Sequence, residues 1–366
     1  MNPELNMINE NGDVMTFTLS NINCSIANAL RRTILSDIDI FCFDVTKNNG
    51  SNINIYMNTS RINNEILKHR LSCIPININD EDFPYEKYLL EVDVENTSEN
   101  IINITTDDFK IKDTDNETYL SKEKINELFP KNKITDDFIL FARLRPQIGN
   151  IPGEKIKLNA KISRSCAKEN GVFNVVSTST YAATVDNELI QKTWFTKEKE
   201  LTSLKVPEED ILQQKEDFLL LDAKRIITPN SFDFTVETIG IFKNTEIIKM
   251  ACKIIKNNLT YIQKLISDDE LEIRESDIVN DYSYDVKLVD MTHTIGKSLE
   301  YMFIEEYMEK TNKLSFCSFK KFHPHDNFSV LRLIYNEDEN IGTVKDNLNN
   351  VCEKLKKLFQ IIDELF

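Results

Sequence analysis

Few side chains in this chain are spaced for chemistry. Glu65, His69 and Arg70 lie within one short stretch. An acid, an imidazole and a cation so close together raise the question of proton transfer. Glu65 and His69 are four residues apart, the spacing of surface neighbours on one helix, and that reading needs no catalysis. His323 and His325 flank Pro324, but no third metal ligand lies nearby, so a turn ending a strand pair is expected. The cysteines at 24, 42, 73, 166, 252, 317 and 352 stand singly, without Cys-x-x-Cys spacing. Reduced, buried thiols are expected rather than a zinc or iron–sulfur site. Eight scattered glycines form no phosphate loop, and no Asp-x-Asp-x-Asp or nucleophile motif occurs. The expectation is no catalytic residue, no metal and no cofactor.

The arginine pair Arg31 and Arg32 is different. A guanidinium is a planar fork that pairs with carboxylates at two points, which suits a protein contact. The pair ends a unit that occurs twice. Residues 17–32 recur without a gap as residues 286–301, an offset of 286 − 17 = 269. Leu19 falls on Leu288, Ile22 on Met291, Ser25 on Thr294, Ile26 on Ile295, Ala27 on Gly296 and Leu30 on Leu299. Each copy reads as a strand, a polar turn and a helix start, with Asn21 or Asn23 as the first cap. Glu300 and Tyr301 stand where the first copy has Arg31 and Arg32. A chain with one unit twice can dimerise with itself, and the mismatch gives its two sides different chemistry.

The elements around these units follow from periodicity. Residues 14–20 and 232–238 alternate as strands, and Ile247 to Ile266 hold one apolar stripe over about five turns. The C-terminal part repeats the plan: strands at 284–289, 314–319 and 328–335, a helix from Ile295 to Met308, and a long amphipathic helix over 343–365. Between 45 and 225, short alternating runs such as 51–57 and 155–162 sit among Asn- and Asp-rich stretches, with a short helix at 121–128. That block reads as a β-rich insert.

Composition excludes some classes. The 366 residues allow two or three domains. The net charge is −16, from 44 basic and 60 acidic residues, and no long basic run is present. A nucleic-acid-binding module would need a basic stripe, so partner proteins are favoured. An enzyme housed in the insert would need a cluster of titratable groups, and the sequence offers none. No stretch approaches the ~20 apolar residues of a membrane span, and Met1 to Asn6 lacks a signal peptide's basic start. An intracellular protein is expected. Abundant Asn and Ile fit an A+T-rich genome.

Asn28-Ala-Leu-Arg-Arg-Thr-Ile-Leu35 resembles the signature helix of the RNA polymerase α-like subunits: bacterial α, archaeal D and the third subunit of RNA polymerase II. Asn58-Thr-Ser60, Asn64 to Arg70, Cys73-Ile-Pro75, Phe141 to Pro146 and Phe234 to Gly240 follow in the family's order. His293-Thr-Ile-Gly296 and Phe322-His-Pro-His325 resemble the smaller partner, archaeal L or the eleventh polymerase II subunit. Lys297 stands where that partner usually has Asn, and Cys166-Ala-Lys168 is a loose match to the family's His-Ala-Lys. One polypeptide carrying both partners resembles the fused subunits of large DNA viruses.

The resemblance implies an α+β fold in which the α-N-terminal-like dimerisation fold is present twice, with a β-rich insert domain in the first half. The implied domains are 1–45 with 226–270 (third-subunit-like), 46–225 (insert), 271–283 (linker) and 284–366 (eleventh-subunit-like). It implies a non-catalytic assembly subunit that holds the largest and second-largest polymerase subunits, with small zinc-binding subunits as further partners. DNA would be met only through the assembled complex, and no membrane is involved. In a virus, the setting would be the cytoplasmic factory and the virion. Asn28, Arg31, Arg32, Glu65 and Arg70 would meet the second-largest subunit. Ile26, Leu30, Ile34, Ile254, Leu259, Ile295, Leu299, Phe303, Leu355 and Phe359 would form the internal dimer core.

Overall fold

The structure is a computed structural model that describes residues 2–45, 52–276 and 282–366. Helix takes 40% of it and strand 31%, an α+β content. In chain order the elements begin β1 (Glu4–Asn11), β2 (Val14–Ser20), α1 (Cys24–Ser36), β3 (Asp39–Cys42), β4 (Ile53–Asn58) and α2 (Asn64–Ser72). There follow β5 (Tyr88–Glu95), β6 (Ile102–Thr105), β7 (Lys110–Asp113), β8 (Thr118–Tyr119), α3 (Lys122–Leu128), β9 (Leu140–Leu144), β10 (Lys155–Lys161) and β11 (Ser163–Cys166). Then come β12 (Val176–Val185), α4 (Asn187–Ser203), α5 (Glu208–Asp217), β13 (Ile227–Thr238) and α6 (Asn244–Ser267). The chain ends with β14 (Ile273–Glu275), β15 (Ser283–Val289), α7 (His293–Phe303), β16 (Leu314–Lys320), β17 (Phe328–Tyr335) and α8 (Ile341–Leu365).

These elements cluster into two compact units. The first unit comprises residues 1–34, 178–237 and 244–366. It holds two antiparallel four-stranded sheets, in the orders β1-β2-β13-β12 and β14-β15-β17-β16. In both, the fourth strand of the set lies between the second and the third, so the two sheets share one topology. Strict alternation explains the inner faces: Met15, Phe17 and Leu19 on β2, and Phe232, Phe234 and Val236 on β13, are buried. Phe17 stacks on Phe234 at 5.0 Å and takes the edge of Phe366 at 4.9 Å. Val286, Leu288, Leu331 and Leu333 do the same work in the second sheet. Each such side chain contributes roughly 1.5–3 kcal/mol of gross burial energy.

The second unit comprises residues 35–177 and 238–243. A five-stranded sheet, β4-β10-β5-β7-β8, is joined by the pairs β3–β11 and β6–β9. Its core gathers Phe43, Leu67, Leu71, Val92, Phe109, Phe129, Phe141 and Leu158. Asn63 caps α2 by accepting from the Ile66 amide at 2.8 Å, and Ser121 caps α3.

Some expected boundaries move. The β-rich unit takes in residues 35–177 and 238–243 where 46–225 was expected, and residues 178–225 cluster with the first unit. Much of that stretch is helix. α4 buries only Ile190 and Trp194, and α5 buries nothing, so neither has the broad apolar stripe that betrays a helix in sequence. The expected linker 271–283 contains β14, whose Ile273 pairs with Val286; residues 277–281 lie outside the described residues. The helix expected to run to Met308 leaves α geometry after Phe303 and continues as a π-helical turn over Ile304–Lys310.

Candidate docking surface and helical seam

The long helices α6 and α8 pack together in the first unit, and their polar contacts fix the direction. Lys256 Nζ donates to Asp363 Oδ2 at 2.7 Å and to Gln360 Oε1 at 2.8 Å. Lys356 Nζ donates to Gln263 Oε1 at 2.9 Å. Contacts that climb one helix descend the other, so the pair is antiparallel. An offset of 100 residues relates them. The buried residues of α6 (Asn244, Ile247, Ile248, Ala251, Cys252, Ile255, Leu259 and Ile262) fall on buried Val344, Asn347, Leu348, Val351, Cys352, Leu355, Phe359 and Ile362 of α8. The same offset carries Lys256 to Lys356 and Gln263 to Asp363. Residue i of one helix therefore meets the counterpart of j, and j meets the counterpart of i.

The shorter helices α1 and α7 keep the offset of 269 in their geometry. Asn21 and Asp290 are matched turn residues, with φ of 60° and 57°. Asn and Asp tolerate this left-handed conformation better than most residues. Asn23 Oδ1 accepts from the Ser25 amide at 2.8 Å, and Thr292 Oγ1 accepts from the Thr294 amide at 3.4 Å. Each cap satisfies a backbone donor that the first helical turn leaves unpaired. Leu30 and Leu299 are both fully buried. Of the ten residues expected in the dimer core, Ile26, Leu30, Ile34, Leu259, Ile295, Leu299, Phe303, Leu355 and Phe359 are buried. Ile254 is only half-buried, at the margin of the stripe, while Ile255 beside it is fully buried.

The charged ends of the two copies diverge. Arg31 is half-buried and Arg32 exposed. Arg31 Nε donates to Asn28 Oδ1 at 3.4 Å, and Asn28 also bonds the Tyr181 hydroxyl. Arg32 Nε donates to Thr294 Oγ1 at 3.0 Å, joining α1 to α7. Glu300, the counterpart of Arg31, turns inward. It accepts from the Phe319 amide at 2.6 Å and pairs with Lys297 at 2.7 Å. Burial pushes the Tyr301 phenol up, and its bond to Glu305 adds to that. His293 is pulled down from its ordinary value by burial first, then by the nearby positive charges of Arg32, Lys297 and Lys321.

Glu65 and Arg70 sit on α2 in the second unit. Arg70 ties α2 to β9, donating from Nε to the Phe141 carbonyl at 2.6 Å and from Nη2 to the Leu140 carbonyl at 2.9 Å. Exposed Glu65 reaches Lys68 at 3.9 Å, and His69 is exposed. Nothing here assembles an acid–base pair. His323 and His325 form a turn in which the His325 amide donates to His323 Nδ1 at 3.2 Å. Among the described residues, no group of three or more His, Cys, Asp or Glu is placed to hold a metal ion. Burial pushes the Cys252 and Cys352 thiols up to about 12, so both are inert packing groups at neutral pH.

The profile of the RNA polymerase Rpb3/Rpb11 dimerisation domain matches residues 16–259, two thirds of the chain. The chain belongs to this family. It is 25% identical over 289 residues to the DNA-directed RNA polymerase subunit Rpo3 of Pyrococcus furiosus, covering 72% of this chain and 98% of that one. The RNA polymerase II subunit rpb3 of Dictyostelium discoideum is 25% identical over 310 residues, covering 74% and 96%. The human RNA polymerases I and III subunit RPAC1 is 26% identical over 212 residues, covering 52% and 57%. The chain thus spans little more than half of the RPAC1 relative but nearly all of the two others. No helix among the described residues is long and apolar enough to cross a membrane.

Two features of this Rpb3/Rpb11-family chain lie outside the sequence-based expectations. The offset of 100 between α6 and α8 was readable by laying one long helix on the other. The inward turn of Glu300 was not, because its acceptor role depends on where β16 passes α7.

Proposed function

We propose that this chain is a non-catalytic assembly subunit of a multisubunit DNA-dependent RNA polymerase. In this reading a third-subunit-like half and an eleventh-subunit-like half are fused into one polypeptide and form an internal pseudo-heterodimer. The matched stripes of the antiparallel helices α6 and α8 carry the reading: every buried position of α6 falls, at the constant offset of 100, on a buried position of α8. The common strand order of the two sheets supports it. Fusion fixes the halves at one to one and raises their effective concentration. The β-rich unit is the family's insert. Magnesium, template and nucleotides belong to the two large subunits, which this chain holds in register, and small zinc-binding subunits join the assembly. The fusion, with its resemblance to subunits of large DNA viruses, supports a viral setting in the factory and the virion.

In this reading Asn28, Arg31 and Arg32 of the first unit, and separately Glu65 and Arg70 of the second, are the residues that meet the second-largest subunit. The exposed guanidinium of Arg32 and the half-exposed one of Arg31 support their part in that contact. Arg70 spends two donors within the chain, so its share is mainly to position α2.

Two experiments test this. Cutting the chain within 277–281 and co-producing residues 1–276 with 282–366 should give a stable one-to-one complex. Fragments that fold but do not associate would refute the pseudo-dimer. Separately, Arg32→Glu should abolish co-purification with the second-largest polymerase subunit while the protein still folds and melts cooperatively, losing only the ~1 kcal/mol of its bond to Thr294. Undiminished co-purification removes Arg32 from the interface.

A further inference from the structure

Each sheet of the first unit turns one face to the helices and the other outward, and the two outer faces are built differently. The first is polar and closed on itself. Thr18 Oγ1 and Thr184 Oγ1 both donate to Asp233 Oδ1, at 2.7 and 2.9 Å. Ser231 Oγ donates to Thr184 Oγ1 at 2.8 Å. Strand register gives the matched positions on the second sheet. Ser20 pairs with Ser231 and Val289 with Phe328; Thr18 pairs with Asp233 and Lys287 with Val330. Phe328, Val330 and Arg332 therefore stand where the first sheet has Ser231, Asp233 and Thr235.

On this second face a groove of about 220 Å3 is lined by Phe316, Ser318, Lys320, Phe322, Val330 and Arg332. Phe316 and Phe322 remain 44% and 57% exposed, although each ring would bury well over half its surface in an ordinary core. The only formally charged groups in the lining are cations. Asp285 neutralises Arg332 through a two-point bond with both arms at 2.6 Å. Among the described residues no carboxylate lines the groove beside Lys320; its ammonium rests 4.8 Å from the centre of the Phe322 ring.

We propose that this groove docks an acidic segment of a partner protein. One apolar side chain of that segment seats between Phe316 and Phe322, and a flanking carboxylate pairs with Lys320. Charge complementarity selects this occupant. An apolar slot whose uncompensated charge is a lysine prefers an apolar group next to a carboxylate and repels a basic segment. Single-stranded nucleic acid would need a longer run of positive charge along its backbone than one lysine supplies, on a chain of net charge −16. The proposal depends only on the folded second sheet, so it stands or falls apart from the assembly reading.

The test is selection of random phage-displayed peptides on the full chain, with counter-selection on the double variant Phe316→Ser/Lys320→Glu. Expected winners carry Asp or Glu around a single Leu or Phe. A labelled winner, followed by fluorescence anisotropy, should bind Lys320→Glu about tenfold more weakly. A version with Lys in place of its acidic residues should recover binding to that variant. Lys320→Gln, which leaves both ring walls intact, should give an intermediate loss with an unchanged melt. The proposal is overturned if the winners are not acidic or bind Lys320→Glu and wild type equally. It is also overturned if an oligothymidine strand or a second copy of the chain takes the groove in preference to the peptide.

Discussion

Helices α1 and α7 begin alike and end apart. Their caps, their left-handed turn residues and their buried leucines match at a constant offset, because both must lay one apolar stripe on a sheet of the same topology. Past that stripe, α1 presents Arg31 and Arg32 outward, while α7 turns Glu300 in to hold the backbone of β16. The outer sheet faces repeat the lesson, with hydroxyls and a carboxylate bonded to one another on one side and phenylalanines and lysine on the other. Packing constraints keep matched core positions similar, whereas outward positions are free to diverge toward different partners.

The largest effect that would break this comparison lies in the matched leucines. Leu30→Asp and Leu299→Asp each place a carboxylate at a fully buried site. The desolvation cost is comparable to the whole ~5–15 kcal/mol stability of a domain. Each should abolish the cooperative thermal transition and leave the protein insoluble. A melting temperature unmoved by both would mean that these helices are not core elements.

A smaller test uses the matched pair Ala27 and Gly296. A methyl group added at Gly296 would lie 2.1 Å from Cε2 of Phe319, while Ala27 already carries one at full burial. Gly296→Ala should therefore destabilise by about 1–3 kcal/mol through overpacking. Ala27→Gly should cost about 0.5–1 kcal/mol through backbone entropy. Denaturant titration of both variants decides; equal losses would mean that α7 lies no closer to its sheet than α1.

The smallest effect sharpens the seam. Lys256 and Asp363 form a partly exposed ion pair across the seam, whereas Lys356 meets the neutral Gln263 across the seam and pairs with Glu353 on its own helix at 3.2 Å. Lys256→Ala should cost about 0.5–1 kcal/mol at low salt, with the loss fading as salt screens the pair. Lys356→Ala removes an exposed pair within one helix and a neutral contact across the seam, so in a double-mutant cycle its coupling to Gln263 should be smaller and less salt-dependent than that of Lys256 to Asp363. Reversed salt responses would reverse this account of the two contacts.

Much of this was legible along the chain. The strands at 232–238 and 328–335 and the long helices announced themselves because one face of each is buried, so apolar residues recur with the period of the backbone. α4 and α5 did not, because Ile190 and Trp194 are all that they bury. Ile254 is only half-buried for a related reason. Its spacing fits the stripe, but only the crossing of α6 and α8 decides which margin of a stripe is covered.

The sequence by itself determined the repeated unit, its caps, the apolar stripes and the family. These are short-range properties, set by residue type and spacing along one element. Tertiary structure decided what one-dimensional spacing cannot hold. It set the antiparallel crossing of α6 and α8 and the use of Arg70 to tie α2 to β9. It turned Glu300 inward and left a groove open on one sheet while closing the matched face of the other. Each depends on which distant strand or helix passes within hydrogen-bonding distance, and only the folded chain fixes that.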